Sequence, residues 1–238
     1  FTDGWPNNKR RYSSTKSRTS VCIKNKVVKL AVIFDPLEHS FRDAHKLMIG
    51  SIVPRPIALV STISKDGKYN VAPFSYFNGI CSKPPTIMFA PGRRGWDGEE
   101  KDTLINIRDT PEFVINIVSE SFAEQMVLCA TDFDSDVDEF DISGLTPAPS
   151  QKITPPCVKE AKVSFECRLN QIVEIGDGTA GSGFAVIGTI VLFHVDDEIY
   201  DEGRINLEKL EPVGRLAGNW YSRLTNNYKI IRKIKPDQ

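Results

Sequence analysis

The sequence predicts a mainly β domain with attached helices, an α+β arrangement whose strands form a barrel. Three observations predict it. β-rich segments outnumber helical ones, turn signals join neighbouring strands as hairpins, and no internal repeat or clean linker divides the 238 residues. A chain of that length can bury a proper core.

Taken in order, Phe41 to Gly50 reads as a short helix stopped by Gly50. The run from Pro54 to Ile63 is rich in β-formers after its second proline, and Lys65-Asp-Gly-Lys68 is a hairpin turn in which Gly67 can take a positive φ. Tyr69 to Phe77 is the return strand, and Pro73 puts it at an edge or a bulge because proline brings no N–H to a ladder. Thr86 to Ala90 is a short buried strand, followed by a Gly-rich charged loop over residues 91–100. Asp102 or Thr103 is positioned to cap a helix running to about Arg108, and Glu112 to Val118 is a further strand. Ser121 and Glu124 have the capping-box spacing of a helix reaching about Ala130, with a long proline-containing loop after it. Two long strands, about 163–175 and 184–195, pair across a glycine-rich tip, and Leu207 to Leu224 reads as a helix and loop packed on the barrel.

Several function classes are excluded at this level. The net charge of −1 lacks the basic excess of a nucleic-acid binder. No apolar run approaches the ~20 residues that cross a membrane. Cys22, Cys81, Cys129, Cys157 and Cys167 contain no C-x-x-C pair and read as reduced thiols, so the expected location is cytoplasmic. Residues 1–32 form a basic segment with a single acid, Asp3. Such a composition suits a transit segment, an overlong reading frame or a disordered tail, and we expect a non-catalytic tail preceding a domain over 33–238. Gly176, Gly178 and Gly181 match G-x-G-x-x-G, but strand sequence continues beyond them, so they read as a hairpin tip and not as a dinucleotide loop. Asp132, Asp134, Asp136 and Asp138 lack the glycine and closing glutamate of a calcium loop, and His39, His45 and His194 share no metal-ligand spacing. No metal site and no catalytic triad is expected, and no G-x-S-x-G elbow occurs.

Three segments carry the chemistry of one cofactor pocket. Pro54 and Pro56 stiffen the backbone around Arg55, ahead of Ser61 and Thr62. In Asn70 to Phe77 the small residues Ala72 and Ser75 alternate with Phe74 and Phe77, and Pro73 frees neighbouring backbone groups to meet a ligand. Lys101-Asp102-Thr103 opens a helix, where a cation, a hydroxyl and unpaired N–H groups suit a phosphate.

The order of these pieces, P-R-P-I-A-L-V-S-T-I-S-x-D-G-x-x-N-x-A-P-F-S-x-F from Pro54, then P-P, K-D-T-x-x-N-I and E-F-V-I-N-I-V, resembles the flavin reductase-like FMN-binding split-barrel family, flavoredoxin included. The likeness spans roughly Asp35 to Tyr221 and includes F-E-C-R-L, V-I-G and P-V-G-R-L-A-G-N-W-Y. It implies an FMN-binding split β-barrel. Lys101 and Thr103, helped by Ser61 and Thr62, would hold the phosphate, with Asp102 and Asn70 nearby. Ala72, Pro73, Phe74 and Ser75 would face the ring, Phe77 would wall the pocket, and Arg55 with Pro56 would serve either the phosphate or the pyrimidine edge. It also implies a homodimer in which Arg215 or Tyr221 of a second copy approaches the flavin. The expected activity passes electrons from NAD(P)H through FMN to an acceptor or a partner monooxygenase. The alternative is a non-enzymatic FMN-carrying electron-transfer protein without a nicotinamide site.

Overall fold

The computed structural model describes residues 32–131, 133 and 137–231, which fall into two units divided after Ser40. The basic tail up to residue 31, Cys22, and Asp132, Asp134 and Asp136 lie outside the described residues. In the first unit Asp35 caps a 3₁₀ turn, Pro36–Glu38, and the Phe34 and His39 rings stack at 4.1 Å.

The second unit contains α1 (Phe41–Ser51), β1 (Ala58–Ile63), β2 (Tyr69–Phe74), β3 (Phe77–Ser82), β4 (Pro85–Phe89), α2 (Asp102–Asp109) and β5 (Glu112–Ile117). After a 3₁₀ turn at Glu120–Phe122 come α3 (Ala123–Leu128), α4 (Glu139–Ser143), β6 (Pro147–Ala148) and β7 (Cys157–Val158). The long hairpin β8 (Val163–Ile175) and β9 (Gly183–Val195) follows, then β10 (Tyr200–Asp201), β11 (Arg204–Ile205), α5 (Leu207–Leu210), β12 (Val213–Arg215) and β13 (Tyr221–Arg223).

Seven strands make one antiparallel sheet in the order β2-β1-β5-β8-β9-β4-β3. Its two edge strands, β2 and β3, are consecutive in the chain with only Ser75 and Tyr76 between them. A two-residue link cannot span a flat seven-stranded sheet, because neighbouring strands lie about 4.8 Å apart. The sheet therefore curls until its edges meet, as an open, split barrel. Phe74 on β2 reaches Phe89 on β4, ring centroids 5.1 Å apart, and Phe89 meets Phe113 of β5 at 5.5 Å.

Strand alternation sorts the core onto both faces. Ala58 and Val60 point into the barrel with Phe74, Phe89, Leu104, Ile107, Phe113 and Phe184. Ile57 and Leu59 point outward, against Phe122, Met126, Phe140 and Val158. Gly188 is required where β9 crosses β5, since a Cβ there would lie 2.3 Å from the Phe113 ring. Gly176, Gly178 and Gly181 all have positive φ at the β8–β9 tip, as a hairpin end needs.

Five local expectations are corrected. The return strand ends at Phe74 instead of Phe77, because the chain changes sheet edge there. The N-cap of α2 is Lys101, with no side-chain cap bond; Asp102 turns to Arg94 instead. The Ser121–Glu124 box does not form, and Phe122 precedes α3 without a cap bond. The proline-containing loop is preceded by α4, capped by Asp138. Beyond α5 the chain forms the β12–β13 hairpin, with Gly214 packed where a Cβ would meet Pro54 and Ser222 at 2.7 Å. Among the described residues no helix is long and apolar enough to cross a membrane.

Candidate functional site

The site is built by α2 lying across β1 and β2. Leu104 and Ile107 are fully buried on its inner face and join the barrel core, which fixes the helix axis. Its N-terminus then opens beside the edge strand β2, where Pro73 brings no N–H. In the first turn of α2 the Leu104 N–H already donates to Lys101 O at 2.9 Å, which leaves the Asp102 and Thr103 N–H groups ahead of the first intrahelical bond, at the positive end of the helix dipole.

A cleft open to solvent lies between them. Ala72, Pro73 and Phe74 line one wall, and Lys101, Asp102 and Thr103 another, with Asn70 and Glu139 at the base of the polar side. Arg94 completes it. The loop turns back on itself through the Arg94–Glu99 and Gly98–Arg94 backbone bonds, with Gly98 at φ 79°. That sets the Arg94 guanidinium 3.2 Å from Asp102 Oδ2. Its Nε is buried with no partner among the described residues. Next to it Arg93 and Arg108 stack on Phe184, at 4.9 and 5.2 Å, and hold the loop base.

A flavin with its phosphate would fit this lining. Two cations, Arg94 and Lys101, and the start of α2 border one side of the cleft with Asp102 and Glu139 among them, and an apolar strand wall lies alongside for a flat ring. Lys101 and Arg94 with the first turn of α2 would hold the phosphate, and Ala72, Pro73 and Phe74 would bear the ring.

Other expected residues sit elsewhere. Ser61 is fully buried, donates to Pro156 O at 2.5 Å and accepts from Asn116, so it ties β1 to the 150s loop and does not reach the cleft. Thr62, also fully buried, stands behind the cleft between Asn70 and Asn106. The Thr103 hydroxyl donates its one proton to Asn70 Oδ1 at 2.8 Å, which leaves its backbone N–H as its donor toward an anion. Arg55 is 4% exposed and lies with Pro56 along a separate pocket near Val213 and Gly214. It donates to the carbonyls of Ile49, Ile52 and Leu216 and to Ser75 Oγ, and so binds the end of α1 to the C-terminal hairpin. Burial lowers its pKa; Tyr76 nearby acts in the opposite sense and Arg215 in the same. Ser75 stands at the β2–β3 link, and Phe77 packs half-buried against the barrel core. Tyr221 borders a wider depression between α3 and β13, where Arg223 pairs with Glu120.

Sequence reasoning missed Arg94, Glu139, Cys129, Ala130, Thr131 and Phe133, which line the cleft from segments distant in the chain. Arg94 sat in a loop read only as Gly-rich and charged. Burial raises the Glu139 pKa, against the N–H and amide donors that reach it. His194, Glu166 and Cys157 also come together, their ligand atoms within 4.8 Å of one another. Both Glu166 oxygens already accept bonds, from Gln151 N and Lys152 N at 2.7 Å, and His194 Nε2 lies 2.6 Å away. Glu166 and His194 thus form a hydrogen-bonded set that anchors the 150s loop, while Cys157 Sγ lies 3.7 Å from Ser150 Oγ.

A model of the flavin reductase-like domain matches residues 49–210. The chain belongs to the flavin reductase-like family. An uncharacterized protein of Aquifex aeolicus is 44% identical over 187 residues, covering 78% of this chain and 92% of its own. The structure of nitrilotriacetate monooxygenase component B from Bacillus cereus superposes with a TM-score of 0.81 at 36% identity, covering 85% of this chain and all of that one. The 2-nitrobenzoate 2-nitroreductase NbaA of Pseudomonas fluorescens does so with a TM-score of 0.76 at 32% identity, covering 84% and 96%. The chain is thus a flavin reductase-like split-barrel protein of oxidoreductase kinship.

Proposed function

We propose that this protein binds FMN in the α2–β2 cleft and acts as an NAD(P)H-dependent flavin reductase-type oxidoreductase, delivering electrons to an acceptor or a partner monooxygenase. The observation that carries this reading is the single cleft shared by Ala72, Pro73 and Phe74 with Arg94, Lys101 and the start of α2. Bound FMN supplies the hydride chemistry that no side chain in the cleft provides. The chain's own residues bind and orient. Arg94 and Lys101 neutralise the phosphate, the edge strand at Pro73 presents an apolar face, and Glu139 and Asn70 close the base against water. The kinship with nitrilotriacetate monooxygenase component B supports a partner monooxygenase as recipient.

A homodimer is part of the proposal. Helix α1 buries none of its residues and leaves Phe41, Leu47 and Met48 about half exposed, with Ile52 and Val53 just beyond, an apolar surface suited to a second copy. Anaerobic titration of the FMN-loaded protein with NADH and with NADPH tests the activity. Bleaching of the flavin band by either nucleotide supports the reductase reading. Stable colour with both nucleotides supports the electron carrier instead.

A further inference from the structure

The cleft's polar base is a directed row of hydrogen bonds, and its direction is set at one end. Glu139 is 8% exposed at the start of α4, and its carboxylate only accepts. Oε1 takes the Asn70 side-chain N–H at 2.7 Å, and Oε2 takes the Val71 N–H of the edge strand at 3.4 Å. An amide has one oxygen and one NH₂ group, so Asn70 must turn its oxygen the other way, toward Thr103 and Thr62. Thr103 Oγ1 donates to that oxygen at 2.8 Å and Thr62 Oγ1 at 3.3 Å, while Asn106 Nδ2 donates to Thr62 at 3.0 Å. Thr62 is fully buried, and Thr103, 1% exposed, meets open space only where it lines the cleft.

We propose that Glu139 is a positioning residue that sets the hydrogen-bond polarity of Thr103, withholding its hydroxyl proton from the anion side of the cleft and so keeping FMN phosphate affinity below what the site could reach. This rests on the flavin reading above and deepens it. A cofactor held less tightly than its cleft allows is suited to exchange, with flavin arriving and leaving as a substrate. Arg94, Lys101 and Asp102 face the same space, and Glu139 acts on it through Asn70.

Glu139→Gln reverses the row. The glutamine oxygen must stay with the Val71 N–H, its NH₂ then meets Asn70, the Asn70 amide turns over, and the Thr103 proton is released toward the cleft. The test measures dissociation constants of FMN and of riboflavin, which lacks the phosphate, for the full chain. One charge-assisted hydrogen bond predicts FMN binding about tenfold tighter in Glu139→Gln. Riboflavin binding stays unchanged, and the gain disappears in Glu139→Gln/Thr103→Val. Independently of that variant's folding, Thr103→Val alone shifts FMN affinity by less than about twofold. An equal gain in both backgrounds, a gain shared by riboflavin, or a tenfold loss in Thr103→Val alone overturns the relay. A wild-type protein that binds no FMN overturns the flavin reading itself, an outcome distinct from the others.

Discussion

Replacing Arg94 by methionine keeps most of the side chain's apolar stem and removes the guanidinium that borders the cleft. Its Nε is buried without a partner among the described residues, and one of its terminal nitrogens neutralises Asp102 at 3.2 Å. A hydrogen bond to a charged group contributes about 1.5–3 kcal/mol, and 1.4 kcal/mol is a factor of ten, so FMN should bind about 10- to 150-fold more weakly. The unpaired Asp102 carboxylate then adds repulsion toward a phosphate and pushes the loss to the upper part of that range. Quenching of flavin fluorescence on binding measures the constant, with riboflavin as the control for ring contacts and a thermal melt as the control for folding. FMN affinity within about twofold of wild type in a folded variant would refute the assignment of Arg94 to the phosphate. So would an equal loss for riboflavin.

Arg55→Met leaves the carbonyls of Ile49, Ile52 and Leu216 without their donor, and at about 1–3 kcal/mol for each buried unsatisfied group the urea midpoint should fall steeply. An unchanged midpoint would contradict the structural role given to this side chain. Gly188→Ala forces a methyl against the fully buried Phe113 ring and should cost about 1–3 kcal/mol, seen as a lower melting temperature. Burial pushes the Glu166 carboxyl up, but the N–H groups of Gln151 and Lys152 with His194 outweigh it and hold its pKa below the usual value. The stability it contributes is complete above its unfolded-state pKa of about 4.3 and is lost as pH falls through the lower folded value. Acid unfolding curves of Glu166→Gln should lack that component, and curves that match the wild type would show that the 150s loop is held by other contacts.

Much of the barrel was legible because its signals are local. Gly67 marks its turn by a positive φ of 81°, and the β8–β9 pair announces itself by two long β-rich runs around glycines. The break at Ser75–Tyr76 was not legible. β-formers run through it with only Ser75 as a turn signal, and the reason for stopping is the approach of two sheet edges, a property of the curled sheet and of no local segment. The same distinction applies at the site. The residues 72–74 and 101–103 carried a readable chemistry and line one cleft. Ser61 and Arg55 looked equally suitable by residue type, but their placement depends on partners 95 and 161 positions away, Pro156 and Leu216. Arg94 and Glu139 were hidden for the converse reason, since each becomes part of the site only when β2 packs against the start of α4 and the 91–100 loop folds onto α2.

The most direct test of the account is a crystal structure of the protein soaked with FMN. The account predicts the phosphate against Arg94, Lys101 and the first turn of α2, with the ring along Ala72, Pro73 and Phe74. A flavin seated with its phosphate away from α2, or a cleft that stays empty at saturating FMN, would contradict it.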